Sequence, residues 1–382
     1  MYTFSKAIRT VLGCALLAAV PAMAQNTIKI GMITDKVGPA KAYAEPVSAG
    51  VTFAVKELNA KGGLLGRQIE LLVEDDQGRP DISATAARKL VDAGAVFILS
   101  NSLTPATQQV QTVTVETKTP QLAPSNSGDT LTTQISNPNF WQTGPLGSTQ
   151  IATLLSYAAN KKYRKVAVVS DNTELSQLTT KAFKAGLEKA GIQVVSEEVI
   201  SRGATTAEPQ MQKVRAANPE AIFLTGFLTP ENALILRAYR QLGIKSALLG
   251  NFNFSTPQTT VVAKGLLDGL VFVDAFDPSK PEVKRFVESF KKETGNEPYN
   301  LNGYGYDGMM LVAGAIQRAG STDKEKVRAA MQATKGQVGV MGAPGAGYGF
   351  AEGKRTGFDP NGMVVRVYEG DKQGQVVHTG TK

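Results

Sequence analysis

Apolar positions along this chain alternate between two periods. "TIKIGMI" (27–33) is a short β-rich run, and "AGVTFAVKELNAKGG" (49–63) follows with Val51, Ala54, Val55 and Leu58 at helical spacing before Gly62-Gly63 stops it. "QIELLVE" (68–74) predicts the next strand, "DISATAARKLVDAG" (81–94) a helix from Asp81 to Gly94, and "VFIL" (96–99) a third strand. Single apolar strands separated by helices predict a parallel sheet covered on both faces.

The rhythm restarts at residue 165. "KVAVVSD" (165–171) echoes "IKIGMITD" (28–35), each a strand ending in Asp. A helix with Leu178, Phe183 and Leu187 turned inward is expected next. "IQVVSEE", a helix near 208–217, "AIFLTG" (221–226), a helix through Leu234 and Ala238, "SALLG" and "GLVFV" (269–273) follow. Between these two α/β halves, "NPNFWQTGPLGST" reads as a crossing strand or hinge. The remainder is helical: "PEVKRFVESFKKETG" puts Val283, Phe286, Val287 and Phe290 on one face, and "YDGMMLVAGAIQRAG" and "DKEKVRAAMQA" come after it. A Gly-rich stretch (339–353) is expected to be a surface loop. "TGFDPNGMVVRVYEG" predicts a hairpin turning at Asp359-Pro360-Asn361-Gly362.

The first residues change the picture of where the chain works. Lys6 and Arg9 precede an apolar stretch (11–20) too short to span a bilayer, and Ala22-Met23-Ala24 is a small-x-small site. This is a secretory signal peptide, residues 1–24, cut after Ala24. The competing reading, a lipoprotein acylated at Cys14, has too few apolar residues before that cysteine. Cys14 is the only cysteine, so the exported chain carries no thiol chemistry. The expected compartment is a bacterial periplasm. The remaining length exceeds what one core usually serves, which predicts two domains. The formal charge of +8 falls by two with the leader. Basic residues are scattered among acids, with no basic stripe interleaved with aromatics, so no nucleic-acid partner is expected.

Candidate chemistry is sparse. His378, the single histidine, lies in a polar tail. A Ser-His-Asp or Cys-His arrangement and a Cys/His metal cluster are therefore excluded, and neither metal nor cofactor is expected. The Gly-rich stretch lacks the GxxxxGK[ST] pattern and follows a helix, so it is no phosphate loop. "EDDQGRPD" (74–81) reads as a strand-end turn leading into a helix, rather than a calcium loop.

Two stretches stand out instead. "FILSNSLTPATQQ" (97–109) and "PQLAPSNSGDT" (120–130) each end an apolar run on Ser-Asn-Ser. In open α/β sheets ligands bind beyond the carboxyl ends of the strands. Hydroxyls and backbone N–H groups there, ahead of helix starts, suit a carboxylate. The plainer explanation is helix capping. Two occurrences in one half of an exported two-domain chain without catalytic equipment favour binding.

"NAKGGLLGRQIELLVEDDQGRPDISATAARKLV", "TPQLAPSNS" and "FDPNG" together resemble the type I periplasmic solute-binding proteins, in particular the leucine/isoleucine/valine-binding branch that serves ABC importers. The resemblance covers essentially the whole exported chain. It implies an α/β fold of two doubly wound parallel-sheet lobes joined by a three-segment hinge, with the ligand between them. The first lobe would take residues 25–145 with 275–352, and the second 146–274 with 353–382. It further implies that Thr104, beside Ser102 and Leu103, holds the ligand carboxylate together with Ser125, Asn126 and Ser127. Tyr43 would close one wall.

Two positions depart from the branch. Leu175 stands where an aromatic is usual. No acid lies anywhere from Leu248 to Val262, where amino-acid binders place a carboxylate for the ligand ammonium; Phe252 falls at or beside that position. Either Glu174 or Asp171 takes over the pairing, or the ligand has no ammonium, since an unpartnered buried ammonium is strongly disfavoured. Phe252, Phe227, Phe276, Tyr304 and Tyr306 are expected to form an aromatic wall, which favours an acid with an apolar or aromatic body.

The expected function is that of a monomeric substrate-binding subunit of an ABC importer. It would bind a small carboxylate or amino acid without chemistry and dock on a membrane permease. An exported carboxylate-based hydrolase is the rival from another class; it requires two facing acids, one with a strongly raised pKa. A sensor reporting to a membrane kinase is the second rival.

Overall fold

The computed structural model describes residues 27–382, apart from Ser102, Phe227 and Leu228 and the side chains of Glu174, Leu175 and Thr229. The leader and Cys14 lie outside the described residues. The chain opens with β1 (Ile28–Thr34), α1 (Lys41–Ala60), β2 (Ile69–Asp75), α2 (Pro80–Asp92), β3 (Phe97–Asn101), α3 (Thr104–Glu116), β4 (Gln121–Ala123) and β5 (Phe140–Gln142). The five strands form one parallel sheet in the order β2-β1-β3-β4-β5, with Ile28 opposite Ile69 and Ile30 opposite Phe97. Ile28, Ile30 and Met32 face one core; Ile33 and Ile98 face another under α2 and α3. Burial on both faces is what the unbroken apolar runs predicted.

A second set follows: α4 (Gly147–Asn160), β6 (Lys165–Asp171), α5 (Glu174–Lys189), β7 (Gln193–Ile200), α6 (Glu208–Ala217), β8 (Ala221–Leu224), α7 (Thr229–Gln241), β9 (Ala247–Gly250), a 3₁₀ turn (Phe252–Ser255), α8 (Pro257–Val262) and β10 (Val271–Asp274). Three more helices return to the first sheet: α9 (Pro281–Thr294), α10 (Asn300–Ala319) and α11 (Lys324–Gln332). There Trp141 Nε1 donates to Gln332 Oε1 at 2.9 Å. The chain ends on β11 (Val364–Glu369) and β12 (Lys372–Thr379), antiparallel strands that complete a seven-stranded sheet ordered β12-β11-β10-β9-β8-β6-β7. The fold is thus two parallel-sheet α/β lobes. Among the described residues no helix is long and apolar enough to cross a membrane.

Three crossings lie side by side between the sheets. The first follows β5, where Gln142 N donates to Arg355 O at 3.0 Å and Gly357 N to Gln142 O at 2.8 Å. The second follows β10, where Ala275 O accepts from Gly342 N at 2.6 Å. The third runs into β11, with Ala343 N bonded to Gly362 O.

Three local expectations are corrected. Leu178 is exposed, because the inward stripe of α5 runs through Ser176, Thr180, Phe183 and Leu187, and position 178 falls off that face. The hairpin turns at Gly370-Asp371, whereas Asp359-Pro360-Asn361-Gly362 forms an earlier 3₁₀ turn in which Asp359 Oδ1 accepts the Asn361 N–H. The Gly-rich stretch is not a surface loop. Val340, Met341, Tyr348 and Phe350 are buried, and the carboxylate of Asp307 accepts the N–H groups of Val340 and Met341 at 2.7 and 2.8 Å and the Tyr348 hydroxyl at 2.9 Å. By contrast, "EDDQGRPD" is the expected strand-end turn: Asp76 accepts from Gly78 N and Ser83 Oγ.

Glycines let α1 and α10 pack backbone to backbone. A Cβ on Gly305 would stand 1.9 Å from Val47 O, and one on Gly50 would stand 2.0 Å from Asn302 O. Neither neighbour is a side chain that can swing away. Gly305→Ala is therefore expected to destabilise the fold by about 1–3 kcal/mol, the usual range for overpacking. A urea midpoint equal to that of the parent would contradict this close approach.

Candidate functional site

The carboxyl ends of the two sheets face each other, and side chains join them directly. Tyr43 Oη, near the start of α1, donates to Asn253 Oδ1 in the turn after β9 at 2.9 Å. Asn300 Nδ2, at the start of α10, donates to Ser255 Oγ at 2.7 Å and to Asp274 Oδ1 at 2.8 Å. Because α1 and α10 interlock, the two N-termini grip the 252–255 turn as one unit.

The two Ser-Asn-Ser stretches come together on the first lobe. Thr104 Oγ1 donates to Asn126 Oδ1 at 3.0 Å, and the same oxygen accepts Gly128 N at 2.9 Å. Buried Asn101 donates through Nδ2 to Ala44 O at 2.7 Å, while its Oδ1 accepts from Ser125 Oγ at 3.5 Å. Ser127 Oγ accepts from Gln150 Nε2 of α4 at 3.1 Å, so this loop also touches the first helix of the second lobe. Gln142 Nε2 braces the loop by donating to Asn126 O at 2.7 Å. Capping does not explain Thr104: the N-cap of α3 is Leu103, which is partly exposed and makes no side-chain cap bond. Ser102 lies outside the described residues.

On the second lobe Asn251 shapes the facing surface. Its Oδ1 accepts Asn253 N at 3.1 Å, and its Nδ2 donates to Thr225 O and Gly226 O, each at 3.1 Å. Phe252 is half-buried against the core. Phe227 is outside the described residues. Glu174 and Leu175 begin α5, and their side chains are not described.

The expected aromatic wall does not form as a unit. Tyr306 points to the far side of α10, where it donates to Glu57 Oε2 at 2.8 Å and packs on Phe53 and Phe286. Tyr304 is two residues away, roughly opposite around the helix. Tyr304 and Phe276 are core residues, 1% and 7% exposed. The residues bonded across these strand ends that sequence reasoning did not single out are the amides Asn101, Gln142, Gln150, Asn253 and Asn300. Asn253 was visible in "GNFNFST", where the second polar position of an alternating run faces opposite its aromatic neighbours.

Two fully buried acids test the hydrolase rival. Burial raises the Asp274 carboxyl, opposed by Arg366, whose Nη1 lies 3.1 Å away, and by the Asn300 amide. Burial raises Asp307 to about 6, opposed by the Met341 and Val340 N–H groups, Tyr348 and Lys280. Both acids are tied into the crossings as anchors, with bonds to fixed protein donors. Among the described residues no group of three or more His, Cys, Asp or Glu side chains is placed to hold a metal ion. An open groove of about 730 Å³ between α5 and β7 lies on the outer edge of the seven-stranded sheet, away from the joined strand ends.

Two α/β lobes, three crossings and polar strand ends facing each other define a two-lobed solute-binding architecture. The model of the periplasmic binding protein family matches residues 27–371, and the chain belongs to that family. It is 28% identical over 299 residues to a Leu/Ile/Val-binding protein homologue of Brucella melitensis, covering 78% of this chain and 80% of the relative. It is 25% identical over 354 residues to a leucine-, isoleucine-, valine-, threonine- and alanine-binding protein of Pseudomonas aeruginosa, covering 92% and 91%. A crystal structure of a leucine-binding protein from Thermotoga maritima superposes with a TM-score of 0.76 at 25% identity, covering 93% of this chain and 99% of that one.

Two expectations follow from this geometry. Tyr43→Phe keeps the ring and loses the bond to Asn253, so the ligand-free protein should open. Small-angle scattering should show a larger radius of gyration than the parent; superimposable curves would mean the bond does not hold the lobes. The second concerns Asp307. Its folded pKa of about 6 exceeds the unfolded value near 3.9, so its protonated form supplies stability that is full below pH 4 and lost as pH rises through 6. Asp307→Asn lacks this titration. The stability advantage of the parent over the variant should therefore narrow between pH 4 and 7, by about 3 kcal/mol. Urea unfolding at both pH values measures it, and a gap that widens would reverse the assignment.

Proposed function

We propose that the protein is the substrate-binding component of an ABC importer, holding a small carboxylate-bearing ligand between its lobes without altering it. The first lobe would comprise residues 25–145 and 275–352, the second 146–274 and 353–382. The observation that carries this reading is the meeting of Thr104 with the 125–128 loop at strand ends that the other lobe covers. Thr104 has one hydroxyl proton, now given to the neutral Asn126 oxygen. A ligand carboxylate would draw that proton into a charge-assisted bond, roughly twice as strong as a neutral one. Ser125, Ser127 and the N-terminus of α3 would complete the anion's surroundings.

Binding proteins named for branched-chain amino acids among the relatives support transport of a carboxylate as the task. Lobe closure on the ligand would present both lobes to a permease in the inner membrane. Such a protein works as a monomer in the periplasm, delivered by the leader of residues 1–24, and uses no cofactor. The neutral donors at the strand ends suit reversible binding and supply no nucleophile with an adjacent base.

Thr104→Val is nearly isosteric and removes the donor. For the acid that gives the largest thermal shift in a panel of aliphatic acids, aromatic acids and amino acids, it should weaken affinity about tenfold, in line with loss of a bond to a charged group. Calorimetric titration showing unchanged affinity would remove Thr104 from the site.

A further inference from the structure

We propose that the first turns of α10 act as a spring against the joined form of the lobes, with Tyr304 as a positioning residue that limits how far the closed population builds up. The effect on lobe separation stands on the fold alone, and the effect on affinity rests on the carboxylate reading above. Among the described residues, two buried oxygens of this segment have no hydrogen-bond partner, Asn300 Oδ1 and Tyr304 Oη. Each residue is 1% exposed, and one turn of helix separates them, so they share a face.

Asn300 is held from two directions. Its Nδ2 donates to Ser255 Oγ of the second lobe at 2.7 Å and to Asp274 Oδ1 at the second crossing at 2.8 Å. A carboxylate accepts only from the donor half of an amide, which commits the orientation of Asn300 and leaves its Oδ1 without a donor. Side chains on a helix lean toward its N-terminus, so the Tyr304 ring lies over the turn that holds Asn300. Burial, together with the negative charges of Asp274 and Asp307, raises the Tyr304 hydroxyl well above the ordinary tyrosine range. The hydroxyl keeps its proton, a donor without an acceptor among the described residues.

A buried polar group without a partner costs the folded form its desolvation with nothing in return. Here that cost falls where α10 meets the 252–255 turn and the second crossing, which is where the lobes touch. Separating the lobes takes Ser255 away from Asn300 and opens the start of α10 to water. The Asn300 amide is then free to turn, and its Oδ1 can accept the Tyr304 hydroxyl. Asp274 retains Arg366 and Ala275 N when the amide leaves it. The joined form thus carries two unmet hydrogen bonds that the open form satisfies, and the ligand must close the lobes against that difference.

Tyr304→Phe removes the unmet hydroxyl and keeps the ring. The urea midpoint of the ligand-free exported chain should be no lower than the parent's, because the joined form loses no bond. A lower midpoint shows that the hydroxyl is satisfied inside the folded protein and overturns the proposal. Small-angle scattering gives the readout that a purely structural role would not move: the ligand-free variant should have a smaller radius of gyration than the parent. A radius equal to the parent's or larger overturns the spring. Calorimetric titration with the acid that gives the largest thermal shift in the panel above should show the variant binding about fivefold tighter, because relief of one unmet hydrogen bond raises the binding-competent fraction. Unchanged or weaker affinity also overturns it. If no acid in the panel binds, the carboxylate reading falls, while the midpoint and the radius still decide the spring.

Discussion

Asp274 ends the strand from which the chain leaves the second sheet, and it is a charge with no access to water. A lone buried carboxylate there would be untenable, so the crossing is built around answering it. Arg366 comes from the neighbouring antiparallel strand at 3.1 Å and Asn300 from α10 of the first lobe at 2.8 Å, while Ala275 N closes the set. Arg366 also donates to Gly374 O, Gln373 Oε1 and Gln373 O, which fixes the guanidinium against the carboxylate. Removing one member of such a pair typically costs about 3–5 kcal/mol, because the other stays buried and charged. The pair fixes where β10 ends and where α10 begins, and hence how the two lobes sit at the hinge.

From that anchor the rest of the interlobe surface follows by satisfaction of polar groups. Parallel strands end in peptide groups and polar side chains that lack further sheet partners. Amides solve this repeatedly. Asn101 serves a carbonyl of α1, Asn251 serves two carbonyls beyond β8, and Gln142 serves two in the loop after β4. Each carries donor and acceptor on one rigid plane and adds no charge. The amides make this surface polar without adding charge to it. Its neutral donors can hold an anion.

The architecture was legible in the sequence because it rests on period. Strands buried on both faces must be unbroken apolar runs, and the helices between them must be amphipathic, so "TIKIGMI", "VFIL" and "KVAVVSD" announced themselves. That the two Ser-Asn-Ser loops share one site came from the family resemblance, and the pairing of β3 with β4 is what brings them together. Tertiary satisfaction was not readable. The 339–353 stretch looks like a loop by composition, yet Asp307, thirty-three residues before Val340, draws its N–H groups into the core. Leu178 looks like a core leucine, yet Ser176 and Thr180 occupy the inward face of α5 because polar strand ends lie beneath them. Tyr304 and Tyr306 look like one aromatic cluster, yet helical geometry sends them to opposite sides.

How firmly the lobes hold each other without ligand depends on how few bonds cross between them. Beside the Asn300 bonds to Ser255 and Asp274 and the Gln150 bond to Ser127, which lie at the crossings, Tyr43–Asn253 is a neutral hydrogen bond at a partly exposed position, worth on the order of 1 kcal/mol net. Such a bond changes the ratio of closed to open forms by roughly fivefold, far short of the 10⁴-fold bias needed to carry a two-state equilibrium from one extreme to the other. Ligand must provide the remainder by touching both lobes at once. The first lobe can supply charge-assisted bonds to an anionic head group, whereas the second presents amides, a half-buried phenylalanine and carboxylates already in use. Most of the affinity then has to come from the head group on one side and from apolar burial on the other. Under the proposed function, the physical consequence would be a division of labour in which the first lobe recognises charge and the second recognises shape, with discrimination among ligands of equal charge falling to the surface around Phe252.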